Sequence, residues 1–248
     1  MASQKKLVLI TGANSGVGFE VANQLLADGS FHVLLGARSV ERGQAAVEEL
    51  KSRNLPGTVE LLHLDVSAEE SVVAAAKVVE EKHGRLDALV NNAGISRSPG
   101  TIAEQMVACF RVSAVGAQMM GDYFAPLLKK ALGTPRIVNV TSGAGSISNR
   151  MDPKGYGNEF LVIPYRVSKS AMNMVFAGQH RGFESDGFKV FLYGPGPTIS
   201  NLSPANVPGP GMKSTSVGAA PIVEMVQGKR DADAGKYVEY GYEGSFPW

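Results

Sequence analysis

The stretch Lys6-Leu7-Val8-Leu9-Ile10-Thr11-Gly12-Ala13-Asn14-Ser15-Gly16-Val17-Gly18 decides how this chain is read. Lys6–Thr11 is a continuous apolar run, the pattern of a strand buried on both faces. Glycines 12, 16 and 18 follow directly. Over Gly16–Asp28 the residues Val17, Val21, Leu25 and Leu26 recur at helical spacing. Strand, glycine turn and helix bring free backbone N–H groups and the positive end of a helix dipole to one point. A pyrophosphate fits there, and glycine lets the backbone approach it. The spacing G-x-x-x-G-x-G differs from the commoner dinucleotide spacing G-x-G-x-x-G, so an ordinary glycine-rich turn stays open at this point.

The alternation continues outward. Strands are expected at residues 32–36, 59–64, 88–90, 136–140 and 189–193. Helices are expected at 40–53, from Ser67 to about 83, at 102–132 and from 164 to about 185. Ser67 reads as an N-cap with Glu70 as its capping-box partner. Six strand–helix units without a composition break predict an α/β fold. The expectation is a single-domain Rossmann-type doubly wound parallel sheet over 1–248, with helices on both faces. Residues 194–218, rich in Gly, Pro and Ser, read as a long loop, functional or mobile. A last strand is expected at Tyr237–Glu239, before an aromatic tail ending at Trp248.

Composition sets the limits. Of 248 residues, 44% are apolar and 19% charged, which suits a sizeable core and excludes a disordered chain. Lys and Arg total 24 against 23 acids, so the charge of +1 gives no footprint for nucleic acid or an acidic membrane. Cys109 is the single cysteine, which excludes an intrachain disulfide and a cysteine-built zinc site. His32, His63, His83 and His180 are scattered with no close pair, and read as turn or surface residues; no metal is expected. The apolar segment at 7–10 is too short for a signal-peptide core or a membrane span, so a cytoplasmic protein is expected. Asn139-Val140-Thr141 matches a glycosylation sequon but falls in an expected buried strand. The 29 glycines, with no triplet repeat, point to tight turns and close backbone approaches to a ligand.

The second strand leads into Gly36-Ala37-Arg38-Ser39, with no acid to bind a ribose 2′-OH. Arg38 can form charge-assisted bonds to a 2′-phosphate, and Ser39 adds a hydroxyl, which argues for NADP(H). A solvated charge at a helix start is the alternative for Arg38. Tyr165-Arg166-Val167-Ser168-Lys169 sets Tyr165 and Lys169 on one helical face. A nearby ammonium is expected to lower the tyrosine pKa and make it a general acid. Ser142 stands at the C-terminal end of the fifth strand, the usual ligand edge of such sheets.

Taken together, Thr11-Gly-x-x-x-Gly-x-Gly, Asn91-Asn92-Ala93-Gly94, Ser142 and Tyr165-x-x-x-Lys169 resemble the classical short-chain dehydrogenase/reductase family over essentially the whole chain. Gly36-Ala37-Arg38-Ser39 with Glu41-Arg42-Gly43 looks like its carbonyl-reductase-like, NADPH-preferring members. The resemblance implies that Gly12, Gly16, Val17 and Gly18 shape the pyrophosphate turn and that Asn14 and Ser15 line the adenosine phosphate side. It implies that Arg38 holds the 2′-phosphate, that Asp65 and Val66 lie beside adenine, and that Asn92, Ala93 and Gly94 run along the cofactor. Lys169 is implied at the nicotinamide ribose, and Pro195-Gly196-Pro197-Thr198-Ile199-Ser200 resembles the segment that cradles the nicotinamide amide. Ser200 stands there where threonine is usual.

Two departures stand out. Ser113 replaces the asparagine that, in the family, helps hold a water in a proton relay to the lysine. Ser142 and Tyr165 are 23 positions apart, longer than usual, and residues 143–164 read as an insertion forming a lip over the pocket. Asn149, Arg150, Met151, Tyr156 and Phe160 within it suit a bulky, partly apolar small-molecule substrate; a flap without substrate contact is the alternative. The function implied is NADPH-dependent reduction of a carbonyl or imine. Two other classes stay open: an isomerase, lyase or cyclase without net redox change, motivated by Ser113, and a cofactor-binding sensor. The resemblance also implies a homodimer or homotetramer, with Met119, Met120, Phe124, Met172, Met174 and Val175 supplying apolar surface; core filling is the alternative. Little chain follows Pro195 for a substrate lid, so an open pocket is expected.

Overall fold

The computed structural model describes residues 4–155 and 162–248. Its elements alternate: β1 (Lys6–Thr11), α1 (Gly16–Asp28), β2 (Phe31–Ala37), α2 (Val40–Ser52), β3 (Thr58–His63), α3 (Glu69–His83) and β4 (Ala88–Asn91). Then come α4 (Ile102–Phe110), α5 (Gly116–Leu128), β5 (Arg136–Val140), α6 (Ile147–Met151), α7 (Ile163–Gly182), β6 (Lys189–Gly194), α8 (Thr215–Gln227) and β7 (Tyr237–Glu239). The strands form one parallel sheet in the order β3-β2-β1-β4-β5-β6-β7.

The continuous apolar strands follow from coverage on both faces. Val8 and Ile10 join Val21, Leu25 and Ile222 on the side of α1, α2 and α8. Leu7 and Leu9 join Val72, Phe124 and Phe176 on the side of α3, α5 and α7. Alternate side chains of one strand thus enter two cores. Strand order reverses between β1 and β4, which opens a crevice beyond their C-terminal ends. The ladder between them stops at Ile10↔Val90. There the Thr11 hydroxyl takes over, accepting from Asn92 N at 3.0 Å and Ala93 N at 2.9 Å.

Several boundaries differ from expectation. Ser67 is not the cap of α3: Ala68 holds that place, and the Ser67 N–H and hydroxyl both donate to Asp65 Oδ1, at 2.9 and 2.6 Å. The helix expected over 102–132 breaks into α4 and α5 around a π-helical turn, Arg111–Val115, and ends at Leu128. Ser113 lies within that turn. The helix α8 begins inside the stretch read as a loop, capped by Ser214, whose hydroxyl accepts from Val217 N. Its even, polarity-poor sequence hid it behind the Gly- and Pro-rich residues before it. The rest of that stretch is folded back on itself. Ile199 N donates to Lys213 O at 2.9 Å, and Asn206 Nδ2 to Thr198 O at 2.8 Å.

The region expected as a lip contains α6, capped by Ser146 and tied to the C-terminal tail by Ser148 N to Trp248 O at 2.6 Å. Tyr156 and Phe160 lie outside the described residues. The tail packs through Phe246 and Trp248 against Tyr237, and Trp248 stacks on Phe176. Met120, Phe124 and Met172 fill the core of this chain instead of a subunit face, while Met174 is exposed. Among the described residues, no helix is long and apolar enough to cross a membrane.

Candidate active site

A cleft of about 810 Å³ lies along the C-terminal edge of the sheet, over the β1/β4 switch point. At one end the turn after β1 supplies Gly12, Asn14, Ser15, Gly16 and Val17 to its wall. Gly12 has φ +62°, and a Cβ there would lie 3.0 Å from Ala93 Cα, so no other residue fits without strain. Ser15 is the N-cap of α1 but makes no side-chain cap bond, and the first turn carries no acid. The leading N–H groups and dipole of α1 therefore face the cleft without an internal counter-charge. Gly18 lies off the wall; a Cβ there would collide with Asn92 Nδ2, so it serves close packing.

Arg38, Ser39, Asp65 and Val66 form the next part of the wall. The Arg38 guanidinium is largely exposed, with Nε 4.0 Å from Asp65 Oδ2. The Ser39 hydroxyl caps α2, accepting from Arg42 N at 3.3 Å. Asn92, Ala93 and Gly94 line the floor, and Asn92 Nδ2 donates to Thr11 O at 2.9 Å. Pro195, Gly196, Thr198 and Ser200 close the far side. The later residues Leu202, Ala205 and Met212 also face the cleft, so the segment after Pro195 covers more of it than expected. Of the described part of 143–164, Gly143, Ala144 and Val162 face the cleft, and Asn149, Arg150 and Met151 do not.

Ser142, Tyr165 and Lys169 meet at the inner end. Ser142 follows β5 in an extended conformation, and its Oγ accepts from Ala144 N at 3.2 Å. Tyr165 and Ser142 share a hydrogen bond. Lys169 Nζ donates to Val140 O at 2.9 Å and sits 5.7 Å from the Tyr165 ring centre. The expected lowering of the Tyr165 pKa does not occur in this arrangement. Burial pushes the phenol up to about 12, against the lowering effect of the Ser142 bond. Burial also brings Lys169 down to about 8, which still leaves the amine mostly charged at pH 7 and lets it titrate just above that. Ser113 is buried and off the cleft wall, with Ser168 Oγ 3.4 Å from its hydroxyl.

A buried polar chain that the sequence reading missed fixes α7 against the sheet. Asn91 Nδ2 donates to Asn139 Oδ1, Asn139 Nδ2 to Gln179 Oε1, and Gln179 Nε2 to Ala117 O, each at 2.9 Å. Thr141 Oγ1 donates to Asn173 Oδ1 at 2.6 Å. Gly145 lets this layer close up, since a Cβ there would lie 2.7 Å from the Lys169 carbonyl carbon. The signal was available: Asn139 interrupts an apolar strand, and Asn173 and Gln179 fall on the apolar face of a helix. Glu239, at the end of β7, is a second omission and also faces the cleft.

The histidines are not all apart. His32 and His83 bring their rings to 5.4 Å, with Glu60 Oε1 2.8 Å from His83 Nε2. His32 lies near the start of β2, at the end of the sheet away from the cleft. Sequence separation hid a contact made by β2, β3 and α3 together.

The family model for short chain dehydrogenase matches residues 6–208. The short-chain dehydrogenase anuI of Penicillium roqueforti is 39% identical over 255 aligned residues, covering 97% of this chain and 99% of its own. The short-chain dehydrogenase/reductase tropE of Talaromyces stipitatus is 36% identical over 257, covering 95% and 96%. Among solved structures, the NADPH-bound carbonyl reductase from chicken fatty liver shares the fold, with a TM-score of 0.80 over 99% of this chain and 100% of that one, at 24% identity. The chain belongs to the short-chain dehydrogenase/reductase family of oxidoreductases.

Proposed function

We propose that this protein reduces a carbonyl or imine carbon of a bulky, partly apolar small molecule with NADPH. The observation that carries this reading is the Ser142–Tyr165 hydrogen bond, beside Lys169, in a cleft whose other end holds Arg38. The residues present fit the cofactor: a turn whose Gly12 leaves no room for a Cβ, a helix N-terminus with no side-chain cap, and a largely exposed guanidinium, only loosely paired with Asp65, where a 2′-phosphate would sit. The carbonyl reductase of similar fold was solved with NADPH bound, which agrees with this assignment. When bound, NADPH supplies the hydride.

The chain's own groups handle the proton and the developing charge. Ser142 orients the substrate heteroatom, and Tyr165 donates its proton to it. A phenol pushed up to about 12 carries its proton through neutral pH but is a weak acid, and the Ser142 bond, which lowers its pKa, works toward releasing that proton. Lys169 offers its ammonium to the Tyr165 ring side and to the ribose. Reading Arg38 as the 2′-phosphate partner and Gly12 to Gly18 as the phosphate turn gives each element at the cleft's entrance a task. The test is substrate-dependent loss of NADPH absorbance across a panel of aromatic ketones and cyclic imines. Tyr165→Phe should lower the rate by roughly 100-fold or more, the contribution of a positioned general acid. Retention of most of the rate removes Tyr165 from the mechanism.

A further inference from the structure

His32, Glu60 and His83 have no part in the cleft chemistry and meet at the other end of the sheet. Strand register explains why they meet. His32 pairs with Thr58 across β2 and β3. Alternation along the strands puts His32 and Leu34 on the same face as Thr58, Glu60 and Leu62. Leu34 and Leu62 pack there with Val72 and Val79 of α3. His83, the last residue of α3, is thereby brought beside the start of the two strands.

The donor atoms converge. His83 Nε2 lies 2.8 Å and His32 Nε2 3.8 Å from Glu60 Oε1, and each side chain offers one ligand atom within 4.8 Å of the other two. Around a four-coordinate zinc, with bonds of about 2.0–2.1 Å, such atoms stand about 3.3 Å apart. The two gaps to Glu60 lie on either side of that value, so a shift of about 1 Å in each side chain completes the set. His32 is the decisive member. Its Nε2 is buried with no hydrogen-bond partner among the described residues, and 3.8 Å to Glu60 is too long for one. Its other nitrogen, Nδ1, is 2.7 Å from Thr58 Oγ1. An Nδ1–H donating to that hydroxyl leaves the Nε2 lone pair facing Glu60 and His83, as an outer partner orients a ligating imidazole. A buried ring nitrogen without a partner is costly, and a cation held by the three residues removes that cost.

The surroundings admit a cation and narrow its kind. His83 closes α3, where the helix dipole favours positive charge. Lys5 and Lys82 face His32 and Glu60 and oppose it, but Lys5 Nζ is engaged by Pro56 O at 2.6 Å. Two imidazoles and one carboxylate suit zinc or a neighbouring first-row ion; magnesium and calcium take sets of oxygens, which one carboxylate does not supply. The three side chains are 22–36% exposed, so an ion can enter and water can fill the fourth position.

We propose that His32, Glu60 and His83 bind zinc or a similar divalent transition metal, which ties the end of α3 to the sheet edge formed by β3 and β2. The site acts on stability and stands apart from the reductase reading.

The experiment uses the full chain, stripped with EDTA and titrated with zinc chloride against a chromophoric chelator. One zinc per chain is expected. Thr58→Val should weaken binding about 10-fold, and His32→Gln and His83→Gln, which each remove a ligand, about 100-fold or more. Zinc at about 100 times its Kd should raise the wild-type Tm by roughly 5–10 °C, and EDTA should reverse the rise. Magnesium chloride should leave Tm unchanged. No stoichiometric binding, or binding and a Tm rise that survive unchanged in His32→Gln and His83→Gln, overturns the proposal. Where those variants do not fold, cobalt chloride added to the wild type decides. Strong visible bands of a four- or five-coordinate ion, without the charge-transfer band of a thiolate such as Cys109, support the site. The weak bands of a hydrated six-coordinate ion overturn it.

Discussion

Thr11→Val keeps the shape of a side chain that is 1% exposed and removes only its hydroxyl. That hydroxyl joins β1 to β4 beyond the last ladder pair, on the floor of the cleft. The two N–H groups it serves are not equal. Asn92 N also donates to Val90 O at 3.1 Å, so it keeps a partner. Ala93 N has the Thr11 hydroxyl at 2.9 Å as its partner and is left without it. Ala93 is only partly buried, so its orphaned N–H costs about 1.5 kcal/mol, from the lower half of the range for a lost partner, and the weakened second bond adds about 0.5 kcal/mol. The expected loss is therefore roughly 2 kcal/mol, or about 4–8 °C in Tm for a domain of this size. Urea denaturation at one pH measures it, with Thr11→Ser as the control that keeps the hydroxyl and loses a methyl. Thr11→Val should be the less stable of the two by about 1 kcal/mol. If it equals or exceeds Thr11→Ser in stability, the hydroxyl does not bridge the strands and the account of the cleft floor is wrong.

Two further perturbations probe charge. Arg38→Ala should raise KM for NADPH by roughly 10- to 30-fold, about 1–2 kcal/mol for an exposed charge-assisted pair, and leave KM for NADH nearly unchanged; equal effects on both cofactors would remove Arg38 from the 2′-phosphate. Glu239→Gln should also change how stability depends on pH. The folded carboxyl titrates at about 7, raised from 4.5, so its stabilising share is full below the lower value and is lost as pH rises through the higher one. Glutamine does not titrate, so the variant's advantage should grow by roughly 3 kcal/mol between about pH 4 and about pH 8. Urea midpoints at the two ends measure it, and a difference that does not vary with pH would show that the carboxyl is not raised.

The expectation of a helix start at Ser67 failed for a local reason. Asp65 lies two residues away and takes both the Ser67 N–H and its hydroxyl, so an Asx turn outcompetes the capping box. The uninterrupted helix over 102–132 failed for a different one. A π turn costs one residue of phase, and hydrophobic spacing alone does not show a one-residue slip. That slip seats Ser113 in the interior against Ser168, so its hydroxyl is engaged away from the cleft wall.

Local patterns determined what depends on neighbours in the chain. The apolar run before Gly12 fixed a doubly covered strand, because a strand polar on one face cannot be buried on both. Glycines at the first turn fixed a place where backbone meets phosphate, and the spacing of Tyr165 and Lys169 fixed a shared helical face. Only the tertiary structure decided the ionisation of that pair, since burial is a property of everything packed around them; it drove the tyrosine up and the lysine down, opposite to the simple effect of a neighbouring ammonium on a phenol. Only it could bring Glu239, some seventy residues beyond Tyr165 in sequence, behind Ser142, because the seventh strand lies next to the sixth and carries its carboxylate to the glycines there. Sequence shows which residues can do chemistry; desolvation and distance across strands, both set by the packed sheet, decide in which protonation state they do it.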